Sequence, residues 1–199
     1  MKGVYVFLTD GFEVSEALTT VNMLRRGGVN VKTVSIYDDR IVTSSNRIPV
    51  VADMAFGEFR ASTSFGPCLP TDVMIFPGGM PGSANLAAFP KLMDIMQQHY
   101  AEGGTVAAIC AAPSILAGLG ILDGKRATCH PDFEDKMGKA LVKGDKVVVN
   151  GDLVMGKALG ATFDFALKLV NILAGKEAEH NIRKAICYDM IEALDYNWN

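Results

Sequence analysis

Cys110 lies in a sequence that suits a reactive thiol. Small residues flank it in the segment 107–113 (AAICAAP), and Pro113 is well placed for the first turn of a helix. Small neighbours let the backbone turn sharply, as it does in a nucleophile elbow. The thiol would then lie at a helix N-terminus, where unpaired N–H groups favour a thiolate. We predict that Cys110 is a nucleophile; the alternative is a buried structural cysteine.

Two side chains are candidates to move protons beside this thiol. Glu16 lies on a predicted helix, opposite a face formed by Val14, Leu18 and Val21. Both faces are poor in charge, so we expect the face of Glu16 to meet the sheet edge or another subunit. A buried carboxyl has a raised pKa and can share a proton with a thiolate, whereas the alternative is a solvated surface glutamate. His130 follows a predicted strand, and a Cys–His pair is the usual way to activate a thiol.

Backbone N–H groups are predicted to complete the site. Gly78 and Gly79 allow the backbone to approach a ligand closely. Their N–H groups, with that of Ala111, can form an oxyanion hole. The other two histidines, His99 and His180, lie among polar residues and are predicted to be at the surface.

The elements that must position these residues alternate between strands and helices. Short apolar runs without alternation are typical of parallel strands covered on both faces. Three such runs are residues 4–8, 73–76 and 105–109. We therefore predict one doubly wound, mostly parallel α/β sheet, with the candidate side chains converging at the carboxyl ends of its strands.

Other segments are predicted from local signals. Residues 41–52 and 147–155 are predicted to form hairpins, the second around Gly151-Asp152. Residues 56–70 contain Gly, Ser and Pro and are predicted to form an ordered loop. We expect a single domain over 1–188 and a C-terminal tail over 189–199.

Composition restricts the function classes. The net charge of −3 and the absence of a basic stripe argue against nucleic-acid binding. The four cysteines form no CxxC pair, which argues against a structural zinc site and a disulfide scaffold and favours a reducing compartment, the cytoplasm. The uncharged segment 103–122 is long enough for a membrane span, but Pro113 and several glycines interrupt it. We predict no membrane span, no signal peptide and no metal site.

Four motifs in the same order resemble the DJ-one/ThiJ/PfpI family, with its parkinsonism-associated deglycase branch closer than its peptidase branch. They are residues 11–16 (GFEVSE), 77–79 (PGG), 108–113 (AICAAP) and 130–131 (HP). The similarity covers nearly the whole chain. It implies a flavodoxin-like three-layer sandwich, similar to class I glutamine amidotransferases, and a homodimer. It also implies that Cys110 is the reactive thiol and Glu16 its protonated partner, with Gly79, Ala111 and His130 around them.

Two positions depart from the family pattern. Residues 157–160 read KALG where the family has Arg-Gly-Pro-Gly, so Lys157 replaces a fork-shaped cation that would handle anions near the thiol. Cys129 precedes His130, where the family often has threonine. A second thiol near Cys110 could resolve a sulfenic acid into a disulfide.

Three functions remain open from the sequence. The first is a cofactor-independent enzyme of the glyoxalase or deglycase type, a hydrolase or lyase acting on small reactive carbonyls through Cys110. The second is an oxidative-stress sensor or protective protein in which the same cysteine is oxidised. The third is an intracellular cysteine peptidase of the PfpI type, for which the residues give the least support.

Overall fold

Seven strands form the central sheet in the computed structural model, which describes residues 1–191. Along the chain, the strands are β1 (Val4–Leu8), β2 (Val31–Ser35), β3 (Ile41–Thr43), β4 (Pro49–Val51), β5 (Met54–Ala55), β6 (Val73–Phe76), β7 (Thr105–Ile109), β8 (Arg126–Ala127), β9 (Leu141–Val142), β10 (Val147–Asn150) and β11 (Leu153–Gly156). The order across the sheet is β10-β11-β7-β6-β1-β2-β5. All neighbours are parallel except β10 and β11.

Helices cover both faces of this sheet. They are α1 (Val14–Arg26), α2 (Phe56–Ser62), α3 (Gly82–Ala87), α4 (Pro90–Ala101), α5 (Pro113–Gly118), α6 (Thr162–Ala174), α7 (Lys176–Ala185) and α8 (Tyr188–Ile191). Short 3₁₀ turns occupy Pro131–Lys136 and Leu159–Ala161.

The core is divided by the sheet into two layers. In β1, Phe7 packs into a cluster with α2, α4 and α5, whereas Val6 and Leu8 pack into a cluster with α1 and α6. Successive side chains of a strand point to opposite faces, so an unbroken apolar strand fills both layers. The predicted three-layer α/β sandwich with a mostly parallel sheet is confirmed.

Both predicted hairpins are present. β3 pairs with β4 and β10 pairs with β11, in each case antiparallel. The turn between β10 and β11 uses Gly151 at φ 59°, a conformation that glycine adopts without steric penalty. No helix within residues 1–191 is long and apolar enough to cross a membrane.

Three local predictions were wrong. Residues 56–70 are not all loop, because α2 occupies Phe56–Ser62 and buries Phe59 completely. On α1, Leu18 of the predicted apolar face is 37% exposed, whereas Glu16 is buried, in line with the expectation that its face is covered. His99 is fully buried on α4, whereas His180 is exposed as predicted. Of the predicted tail, 189–191 belong to α8 and 192–199 lie outside the described residues.

Candidate active site

Cys110 occupies a sharp turn between β7 and α5. Its φ is +66°, a left-handed conformation that is strained for a residue with a side chain and that clusters at functional sites. Two backbone hydrogen bonds hold the turn. The N–H of Cys110 donates to Gly156 O at 3.0 Å, and its carbonyl accepts from the His130 N–H at 2.8 Å. These bonds tie the turn to the end of β11 and to the segment that carries the candidate imidazole.

Glu16 is buried in the first turn of α1, with 1% of its surface exposed. Its Oε2 accepts a hydrogen bond from the Gly78 N–H at 2.8 Å. Its Oε1 is buried without a well-oriented hydrogen-bond partner within residues 1–191. A Cβ on Gly78 would lie 2.6 Å from Cys110 Cβ and 2.7 Å from Glu16 Oε2. Only glycine at position 78 therefore leaves space for the Glu16 carboxyl and the Cys110 side chain to lie close together.

The pKa values of the two groups are coupled. Burial raises the pKa of Glu16 to about 7, although the neighbouring Cys110 thiol and the Gly78 N–H oppose the rise. Burial and the nearby Glu16 carboxylate raise the pKa of Cys110 to about 12. Between these values the pair holds one proton, and the values belong to the pair rather than to either residue.

This coupling corrects one expectation from the sequence. The turn at the start of α5 was expected to favour a thiolate on its own. The N–H groups of Gly79 and Ala111 lower the pKa of the sulfur, but burial and Glu16 outweigh them. A thiolate at Cys110 therefore requires that Glu16 carry the proton.

The two amide donors are fixed by close backbone packing. Gly79 has φ +92°, and a Cβ there would lie 2.4 Å from Glu13 N. The Glu13 N–H in turn donates to Gly78 O at 2.9 Å. The sequence predicted these amides as an oxyanion hole; in the structure they lie near enough to the sulfur of Cys110 to lower its pKa.

The imidazole of His130 lines the site, but within residues 1–191 it makes no hydrogen bond to the Cys110 side chain. Its Nδ1 accepts from the Asp132 N–H at 3.2 Å. A neutral ring with Nδ1 occupied as an acceptor carries its proton on Nε2. In this tautomer the Nε2–H of His130 can donate a hydrogen bond to a bound ligand.

These groups surround a cavity of about 220 Å³. Its lining comprises Glu13, Glu16, Gly79, Cys110, His130, Ala158, Leu159 and Gly160. Residues 158–160 belong to the segment that the resemblance placed near the thiol, and they follow β11 at the carboxyl edge of the sheet. Glu13 also caps α1, because its Oε1 accepts from the Ser15 N–H at 3.0 Å.

Two supporting residues predicted from the sequence lie outside this cavity. The Nζ of Lys157 contacts Gly144 O at 3.4 Å and does not line the cavity. Cys129 is 1% exposed and packs in the core layer opposite the one that Cys110 contacts. Burial raises its pKa to about 11, so it is poorly suited to resolve an oxidised Cys110. Within residues 1–191 no group of three His, Cys, Asp or Glu could hold a metal ion.

Sequence comparison identifies the family. Residues 2–172 match the sequence model of the DJ-1/PfpI family. The chain belongs to this family. It is 31% identical to protein DJ-1alpha of Drosophila melanogaster, over 94% of this chain and 84% of the relative. It is 32% identical to a protein of Caenorhabditis elegans named glutathione-independent glyoxalase DJR-1.2, over 88% of this chain and 90% of the relative.

Solved structures of this family share the fold. A DJ-1 superfamily protein from Salmonella typhimurium has a TM-score of 0.84 at 35% identity and covers 94% of this chain and 98% of its own. Oxidized Toxoplasma gondii DJ-1 has a TM-score of 0.84 at 30% identity, with 94% and 98% coverage. The resemblance seen in the four motifs is thereby confirmed.

Proposed function

We propose that the protein converts small 2-oxoaldehydes, such as methylglyoxal, into 2-hydroxy acids by covalent catalysis at Cys110. The observation that carries this proposal is the buried Cys110–Glu16 pair, which holds one proton at the floor of a small cavity. The relative from Caenorhabditis elegans, named as a glutathione-independent glyoxalase, supports the same chemistry.

The first step forms a carbon–sulfur bond. The Cys110 thiolate adds to the aldehyde carbon, and the carbonyl electron pair moves to oxygen. Glu16 gives its proton to this oxygen, which yields a neutral hemithioacetal and a carboxylate. A general acid whose pKa is about 7 is well matched to this transfer at neutral pH.

The remaining steps move one hydrogen and add one water. The Glu16 carboxylate removes the hydrogen from the former aldehyde carbon as a proton, giving an enediolate with its negative charge on the former ketone oxygen. Glu16 returns this proton to the adjacent carbon, and the hydroxyl proton of the hemithioacetal passes to the former ketone oxygen, which gives a thioester of the 2-hydroxy acid on Cys110. Water then attacks the thioester, and sulfur leaves as the thiol. The sum is one 2-oxoaldehyde plus one water giving one 2-hydroxy acid.

The other residues have supporting roles in this scheme. The Gly79 and Ala111 N–H groups stabilise negative charge on sulfur when it attacks and when it leaves. The Nε2–H of His130 can hydrogen-bond the ketone oxygen, where charge develops in the enediol step. The cavity of about 220 Å³ is smaller than pockets for drug-sized ligands, which begin near roughly 300 Å³, and so favours a small substrate.

A second candidate function is oxidant sensing through Cys110. The observation in its favour is that a relative 30% identical to this chain, Toxoplasma gondii DJ-1, has been solved in an oxidized form. A carboxyl that donates a proton would also stabilise a sulfinate at Cys110. For both candidates we expect a cytoplasmic homodimer, as the sequence predicted.

Conversion of methylglyoxal without any added thiol tests the first candidate. We expect lactate to form in an amount equal to the methylglyoxal consumed and over many turnovers per chain. A Cys187→Ser variant serves as control because Cys187 is exposed and lies outside the cavity; we expect it to retain the wild-type rate. Loss of methylglyoxal without lactate would show adduct formation and would contradict the proposal.

A further inference from the structure

A second thiol–imidazole pair lies at the opposite end of β7 from Cys110. The Sγ of Cys68 is 3.2 Å from Nδ1 of His99. The Nε2 of His99 is 3.0 Å from the carbonyl oxygen of Thr105, the first residue of β7. A carbonyl can only accept, so Nε2 carries the proton of the neutral ring. The lone pair of Nδ1 faces both the thiol and the Met1 amino group, which lies 3.3 Å from Nδ1. The arrangement comprises a nucleophile, a base and a group that orients the base.

The backbone at Gly104 packs closely against the imidazole of His99. A Cβ on Gly104 would lie 2.0 Å from His99 Cε1, so only glycine leaves room for the ring. The Gly104 N–H also donates to His99 O at 2.9 Å. His99 has no exposed surface, and burial lowers its pKa, so the ring is neutral at pH 7 and can accept a proton.

Charged groups surround the sulfur of Cys68. The α-ammonium of Met1 lies 3.0 Å from Sγ and can stabilise a negative charge there. The Oε2 of Glu102 lies 3.7 Å from Sγ and can accept a hydrogen bond from a hydroxyl on the sulfur. Cys68 itself is half-buried, which admits a small reagent more readily than a large one.

We propose that Cys68 is a second oxidation site, which reacts with hydrogen peroxide to form a sulfenic acid and uses His99 as its base. The thiol proton passes to His99 Nδ1, and the sulfur attacks one peroxide oxygen. A sulfur–oxygen bond forms and the oxygen–oxygen bond breaks. The departing hydroxide takes the proton back from Nδ1 and leaves as water. Sulfur is oxidised by two electrons and peroxide is reduced. This site does not depend on the carbonyl chemistry proposed for Cys110.

Sulfenic acid trapping compares two cysteines within one molecule. Cys110→Ala protein, which lacks the other candidate oxidation site, is treated with dilute hydrogen peroxide and a 1,3-dione, and adducts are located by peptide mass spectrometry. Cys187 is the internal control, because it is more exposed than Cys68. We expect Cys68 to be labelled at least about tenfold faster, since an adjacent base raises thiolate reactivity. Labelling of Cys187 at an equal or greater rate would overturn the proposal.

A substitution of the base gives an independent test. In His99→Gln protein that retains the wild-type circular dichroism spectrum, we expect labelling of Cys68 to fall to the rate of Cys187. Folded His99→Gln protein that labels Cys68 at the original rate would contradict a role for the imidazole. If this variant does not fold, the comparison of Cys68 with Cys187 in the histidine-containing protein decides the question.

Discussion

Replacing Cys110 with alanine is expected to reduce lactate formation from methylglyoxal by a factor on the order of a thousand or more, the range seen when a covalent nucleophile is removed. Without the sulfur, no thiolate can bond to the aldehyde carbon. Because no hemithioacetal forms, Glu16 has no oxygen to protonate and no carbon-bound hydrogen to remove. Alanine keeps a Cβ at φ +66°, so the backbone strain of the turn is unchanged. The measurement is lactate produced per chain under saturating methylglyoxal.

The matched control for this variant is Cys187→Ser, which removes an exposed thiol of the same chemical type. Thermal unfolding of both variants shows whether either change disturbs the fold. A folded Cys110→Ala protein that keeps more than about a tenth of the wild-type rate would show that the carbonyl chemistry takes place elsewhere.

Replacing Glu16 with glutamine is expected to lower the same rate by about 10²–10⁴-fold, the usual contribution of a general acid–base group. Glutamine fills the same space, and its carbonyl oxygen can still accept from the Gly78 N–H. It cannot give a proton to the hemithioacetal oxygen or remove one from carbon. The rate loss should therefore appear mainly in kcat, because few binding contacts change.

Glu177→Gln is the matched control, since Glu177 is an exposed carboxylate on α7 and its loss changes net charge equally. We expect this control to retain the wild-type kcat. A Glu16→Gln protein with unchanged kcat and a raised KM would assign Glu16 to substrate binding and remove it from proton transfer.

The sequence predicted the framework of the site because its signals are local. An apolar run followed by small residues and Pro113 is sufficient to place Cys110 between β7 and α5. The carboxyl-edge rule for parallel strands then brings Glu16, Gly79 and His130 to the same cavity. Their catalytic roles remain predictions that the variants test.

The helix α2 and the buried position of His99 were not predicted, because the polar and small residues around them indicated a loop and the surface. Segment 56–62 contains glycine and serine, yet Phe56 and Phe59 have helical spacing and are both buried. Glu58 also caps α2, because its Oε2 accepts from the Ala55 N–H at 2.7 Å. His99 shares one face of α4 with Leu92 and Ile95. This helical spacing puts its side chain in the core, although the residues next to it in the sequence are polar.

The sequence predicted that Glu16 and Cys110 share a proton, but not that the carboxylate would raise the pKa of the thiol so far. The thiolate expected at the start of α5 depends on which partner holds the shared proton, and that depends on the contact between Cys110 and Glu16. The two residues are far apart in the chain. Their meeting depends on the absence of a side chain at Gly78, which the sequence shows only as part of a short turn.

The pH dependence of Cys110 alkylation tests the shared proton most directly. Iodoacetamide reacts with the thiolate, and peptide mass spectrometry reports the rate at this cysteine alone. In the wild-type protein, we expect the rate to stay low through the neutral range and to rise only at high pH, because burial and the Glu16 carboxylate raise the pKa of Cys110 to about 12. In Glu16→Gln protein the carboxylate charge is absent, so we expect the midpoint of the rise at lower pH and a faster alkylation at a fixed pH of about 9. Identical midpoints in the two proteins would contradict the account.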